Sequence, residues 1–124
     1  MATHYTNVGK AYTAGALSGD VSVGASFWVG WGTGSGVAVT GTTLATAAAE
    51  ARSETTKSRQ TTTVSNDTFR NVGTITCAGA GKTITEAGLF TALTGGTMLV
   101  YGDFTGVALG VGDSIQFTVN LVYS

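Results

Sequence analysis

The sharpest chemical pattern in this chain is Gly79-Ala80-Gly81-Lys82-Thr83, whose Gly-Lys-Thr ending imitates a phosphate-binding loop. Such a loop needs another glycine five positions before Gly81 and a helix after it, so that amides and a helix N-terminus converge on phosphate. Thr76 stands at the first place, and the strand-like run Ile84-Thr85-Glu86-Ala87-Gly88-Leu89-Phe90 follows at the second. A hairpin turn with an exposed lysine is the reading. Gly30-Trp31-Gly32-Thr33-Gly34-Ser35-Gly36 lacks the spacing and the βαβ setting of a dinucleotide site, and reads as a bend. Asn66-Asp67-Thr68 matches a glycosylation acceptor, but with no signal peptide beside it the triplet reads as turn chemistry.

Catalytic groups are sparse. The single histidine, His4, lies close to the N-terminus, so a Ser-His-Asp or Cys-His site would have to borrow its base from there. Cys77 is the only cysteine and reads as a small buried hydrophobe. Zinc would need several His or Cys ligands. Asp67, Asp103 and Asp113 fall at expected turns without the dense acidic loop of a calcium site. Glu50 and Glu86 would have to meet to form a glycosidase pair, and nothing in the sequence brings them together. The reading is a protein that is not an enzyme, with no metal and no cofactor.

The elements that would position these residues are β-strands. The chain of 124 residues is enough for one domain with one core. Only 10% of residues are charged, yet 43% are hydrophobic, so the exterior must be largely Thr, Ser, Asn and Gly. A surface so poor in charge is weakly protected from association, which favours coverage by other subunits. The net charge of −1 and the scattered Lys and Arg residues give no footprint for nucleic acid. No stretch approaches the ~20 apolar residues of a membrane span, and no basic patch followed by an apolar run opens the chain. The chain is expected to be made and kept in the cytoplasm, or carried out of it by lysis.

The strongest strand signal is Ser114 to Tyr123. There Ile115, Phe117, Val119, Leu121 and Tyr123 alternate with Ser114, Gln116, Thr118 and Asn120, which puts the first set on a core face. Further strands are expected over 21–31, 37–40, 68–78, 82–90 and 97–104, with a solvated or edge strand over 53–64. The alanine-rich piece from Thr42 to Arg52 fits either a short helix or a loop with one helical turn. Residues 1–16 read as an extended N-terminal arm that alternatively supplies the first strand, and 17–124 as the domain. Gly-rich turns at roughly ten-residue spacing make the class all-β, an antiparallel β-sandwich or jelly-roll-like single domain.

Four pieces carry a family resemblance: Phe27-Trp28-Val29-Gly30-Trp31-Gly32-Thr33-Gly34; Leu44 preceding Glu50-Ala51-Arg52; Ile84 to Phe90 paired with the Gly95 to Leu99 hairpin; and Gly112 to Thr118. In this order the chain resembles structural proteins of tailed bacteriophages, chiefly head decoration (cement) proteins. A Thr-Glu-x-Gly-Leu-Phe hairpin is also similar to those of phage tail-fibre and tail-collar proteins. The first resemblance implies a homotrimer on the outer capsid surface that bridges major capsid protein subunits and stabilises the head. The second implies a fibre or collar module that presents Thr- and aromatic-rich loops to a host receptor or glycan. In the first case the arm residues His4, Tyr5, Lys10 and Tyr12 would grip the capsid. Glu86, in a strand otherwise lacking charge, would pair with Arg52 or Arg70, within or across subunits.

Overall fold

Eight strands and one helix make the fold in a computed structural model that describes residues 2–123. In chain order they are β1 (Ala2–Tyr5), α1 (Asn7–Ser18), β2 (Trp28–Gly32), β3 (Ser53–Glu54), β4 (Thr56–Gln60), β5 (Thr68–Thr76), β6 (Lys82–Phe90), β7 (Met98–Leu109) and β8 (Ser114–Val122). All strand pairs are antiparallel. They form a five-stranded sheet of order β1-β7-β6-β2-β3 and a three-stranded sheet of order β4-β5-β8. The two sheets pack as a β-sandwich, as the strand spacing implies.

Alternation decides the core. Ile115, Phe117, Val119 and Leu121 of β8 point inward, while Ser114, Gln116, Thr118 and Asn120 are exposed. One inner cluster joins Val29, Trp31, Ile75, Cys77 and Ile84, and a second joins Phe27, Leu89, Leu99, Val100 and Leu121. Tyr123 departs from its set: it lies past the strand end and is 48% exposed. A third cluster, of Leu44, Phe90, Met98 and Tyr101, lies on the other face of the large sheet. The loop between β2 and β3 covers it.

Several elements differ from expectation for local reasons. Within the expected N-terminal arm, β1 is followed by the helix α1. Thr6 caps α1 by accepting from the Gly9 N–H at 2.9 Å, and Gly19, at φ 87°, ends it. Two glycines within the helix hide it from sequence reading. Gly9 is needed there because a Cβ would sit 2.5 Å from the Leu99 carbonyl oxygen on β7. Residues 1 and 124 of the expected arm and domain lie outside the described residues. The segments 21–25 and 37–40 are not strands. The expected strand over 53–64 is divided at Thr55, where the chain passes from the large sheet to the small one. The buried Thr55 hydroxyl bonds Asn71 Oδ1 at 2.8 Å, and the Thr55 N–H donates to the Phe27 carbonyl at 2.9 Å. The alanine-rich piece is a loop, tied to the end of β2 by Thr33 N–H to Thr46 O at 2.9 Å and Ala48 N–H to Trp31 O at 3.1 Å.

Candidate functional site

A recess opens between α1 and the small sheet. Its volume is about 380 Å³, within the range that accepts small ligands. It is lined by Tyr12, Thr13 and Ala16 of α1, by Val23 and Phe27 of the segment that follows, and by Phe69, Leu121 and Tyr123. Lys57 and Arg59 of β4 complete the lining. Their register opposite Asn71 and Phe69 turns both side chains toward the recess. Lys57 Nζ lies 5.4 Å from the centre of the Phe27 ring and donates to the Ala25 carbonyl. Burial pushes the Tyr123 hydroxyl up to about 12, helped by a hydrogen bond with Tyr5. Among the described residues the lining carries no carboxylate and no histidine. Aromatic faces beside two cations suit an anion with an apolar side, and the lining offers no acid–base pair.

The two buried glutamates serve as loop clamps. Glu86 is fully buried. Its Oε2 accepts from the Gly34 N–H at 3.1 Å and the Thr46 N–H at 2.8 Å. Its Oε1 accepts from the Ala45 N–H and the Tyr101 hydroxyl, both at 2.9 Å. Burial, and then the Glu86 bond, push the Tyr101 hydroxyl up to about 12. Glu50 accepts from the Trp31 indole N–H at 3.1 Å and the Ala78 N–H at 2.9 Å, and pairs with Lys82. Burial alone would raise the Glu50 carboxyl, but the Ala78 amide and Lys82 outweigh it and hold it at about 2. The lysine of the Gly-Lys-Thr triplet is therefore half-buried and paired, not the exposed turn residue expected. Asp67 accepts from the amides of Val64, Thr62 and Thr63, which hold it well below the usual carboxylate range.

The ion pair expected for Glu86 is replaced by these amide bonds. Arg52 instead lies 3.5 Å over the Phe90 ring and donates to the Ala92 and Gly95 carbonyls at 2.8 Å each. Burial pulls its pKa down from the ordinary value. Arg70 donates to Asn120 Oδ1 at 2.9 Å. The four arm residues do not form one surface. His4 stacks on Tyr101 with centroids 6.4 Å apart, Tyr5 packs on the core with its hydroxyl on Thr13, and Lys10 is exposed. Only Tyr12 reaches the recess. Lys57, Arg59 and Phe69 of that recess were missed, because strand pairing and not sequence proximity brings them beside α1. Among the described residues no three of His, Cys, Asp or Glu converge as a metal site, and no helix is long and apolar enough to cross a membrane.

A family model described as Podophage GP4 fiber I protein gp80 matches residues 8–122. No curated protein matches the chain. The family match corrects the expectation of a head decoration protein. With it fall the outer capsid surface as location, the major capsid protein as partner and the trimer on a shell. The shared hairpin around Glu86 belongs to the second resemblance, that to fibre proteins. The chain is a member of the podophage GP4 fiber I protein gp80 family, a structural fibre component of a phage virion.

Proposed function

We propose that this chain is a noncatalytic fibre unit that contacts an acidic saccharide of the host surface through the recess between α1 and β4. The observation that carries the reading is the lining itself. Tyr12, Phe69 and Tyr123 offer flat apolar faces, and Lys57 and Arg59 supply positive charge with no carboxylate among the described lining residues. A sugar ring stacks its C–H face on such aromatics while a carboxylate on the ring meets the guanidinium. The clamps at Glu86, Glu50 and Asp67 hold the loops of the sandwich rigid, as a fibre unit under load requires.

Retention of the purified protein on cells of a susceptible strain tests the reading. Arg59→Ala and Tyr12→Ala each remove one contact, worth about tenfold in affinity for ~1.4 kcal/mol. Both variants should be retained about tenfold less, and added salt should weaken the wild type. Unchanged retention of both variants overturns the assignment of the recess.

A further inference from the structure

We infer that the open side of the sandwich, where β8 and the outer half of β7 have free edges, pairs strand to strand with a second copy of this chain. The direction of the β8 backbone groups follows from two hydrogen bonds at the ends of its ladder with β5. The Tyr123 N–H donates to the Asp67 carbonyl at 2.9 Å, and the Cys77 N–H donates to the Asp113 carbonyl at 2.7 Å. Both pairs fall on the register that sets Phe69 opposite Leu121 and Ile75 opposite Ile115. In an antiparallel ladder the groups alternate in direction. Odd-numbered residues of β8 therefore face β5, and Ser114, Gln116, Thr118, Asn120 and Val122 present their N–H and C=O groups to the free edge. Among the described residues no backbone hydrogen bond uses them.

This edge lacks the protections the other edges have. β3 is two residues long, β1 is four, and β4 carries Lys57 and Arg59. β8 runs nine residues without a charge or a proline. An edge of that kind is a template for another strand. Among the described residues the neighbouring sheet is open on the same side, because there β1 pairs with β7 only from Val100 to Asp103. Beyond it, Phe104 to Leu109 is also uncharged, with Val107 40% exposed. A cleft of about 190 Å³ lies between the two sheets there, lined in part by Gly102, Phe104, Phe117 and Val119.

A second copy fits this side because neither edge sets a charge against itself. Antiparallel pairing of β8 with its own copy aligns even-numbered residues with even-numbered ones. The amides of Gln116 and Asn120 and the Thr118 hydroxyl then meet on the outer face, and apolar residues meet on the inner face. A charged peptide would find no counter-charge along β8 or along Phe104 to Leu109.

Sedimentation velocity across a concentration series tests this, combined with hydrogen exchange. Wild type should pass from monomer to dimer, with the amides of Gln116, Thr118 and Asn120 exchanging about tenfold more slowly in the dimer. Thr118→Lys places like charges face to face on the exposed side of the edge, leaves the β5 ladder intact, and should remain monomeric. Thr74→Lys, on the same face but one strand in, should still dimerise. Wild type that stays monomeric to about millimolar concentration, near the weak limit of measurable association, overturns the inference. So does a dimer that Thr118→Lys leaves unchanged, or one whose even-numbered β8 amides exchange as in the monomer.

Discussion

Replacing Glu86 should loosen the loop over the outer face of the large sheet, and the structure sets the size of the effect. Its two oxygens satisfy four donors: the N–H groups of Gly34, Ala45 and Thr46, and the Tyr101 hydroxyl. Glu86→Gln keeps the shape and turns one oxygen into a donor. With the new NH2 at the Oε1 position, the Tyr101 hydroxyl can rotate and accept, and only the Ala45 N–H is stranded. At the Oε2 position both Gly34 and Thr46 lose their acceptor, so the first arrangement is preferred. One orphaned donor costs about 1–3 kcal/mol. Glu86→Ala removes all four bonds, and because Ala45 and Thr46 are near solvent, water restores part of the loss. A cost of about 3–5 kcal/mol is expected. Against a typical domain stability of roughly 5–15 kcal/mol, that is a large share. Urea unfolding should show a lower midpoint for Glu86→Gln and a much lower one for Glu86→Ala. Hydrogen exchange should quicken first at Ala45 and Thr46. If Glu86→Gln lies within about 0.5 kcal/mol of wild type, the ordinary range for surface changes, the clamp is not what orders the loop.

Gly9→Ala tests the docking of α1. The added methyl meets the Leu99 carbonyl oxygen at 2.5 Å, so the variant should lose about 1–3 kcal/mol although alanine favours helix. A gain in thermal midpoint would contradict the close approach. Acid should destabilise the fold through Glu50, whose carboxyl drops from an ordinary 4.5 to about 2 on folding. A carboxyl lowered by folding stabilises above its unfolded value, so that contribution fades as pH falls from about 4.5 to about 2. Glu50→Gln should flatten unfolding midpoints across this window, and an unchanged slope would refute the role. Tyr101→Phe removes one neutral donor from the Glu86 cluster and should cost about 1 kcal/mol by thermal unfolding, with a smaller loss in a Glu86→Ala background, where its acceptor is gone. Equal losses in both backgrounds would show that the two groups do not act together.

The strands were legible where burial imposes a period. β8 reads directly from Ile115 to Leu121 because one face is core and the other open. α1 was not legible, because Gly9 and Gly15 depress helix propensity and the reason for Gly9 lies on β7. The alanine run was ambiguous for a related reason. Its propensity favours helix, but Glu86, some 40 residues away in sequence, takes the Ala45 and Thr46 amides. The same contacts explain why Glu86 pairs with neither Arg52 nor Arg70 within the chain: its partners are backbone amides, which leave no pattern in side-chain types. The recess was hidden because Tyr12, Arg59, Phe69 and Tyr123 meet only through strand register. Short motifs of common residues marked a phage structural protein, but they did not separate head from fibre.

Antibody labelling of intact particles in the electron microscope tests the central claim most directly. A serum raised against the folded chain, with gold-conjugated detection, should mark the fibres and leave the head surface bare. Gold distributed over the head, with none on the fibres, would contradict the account.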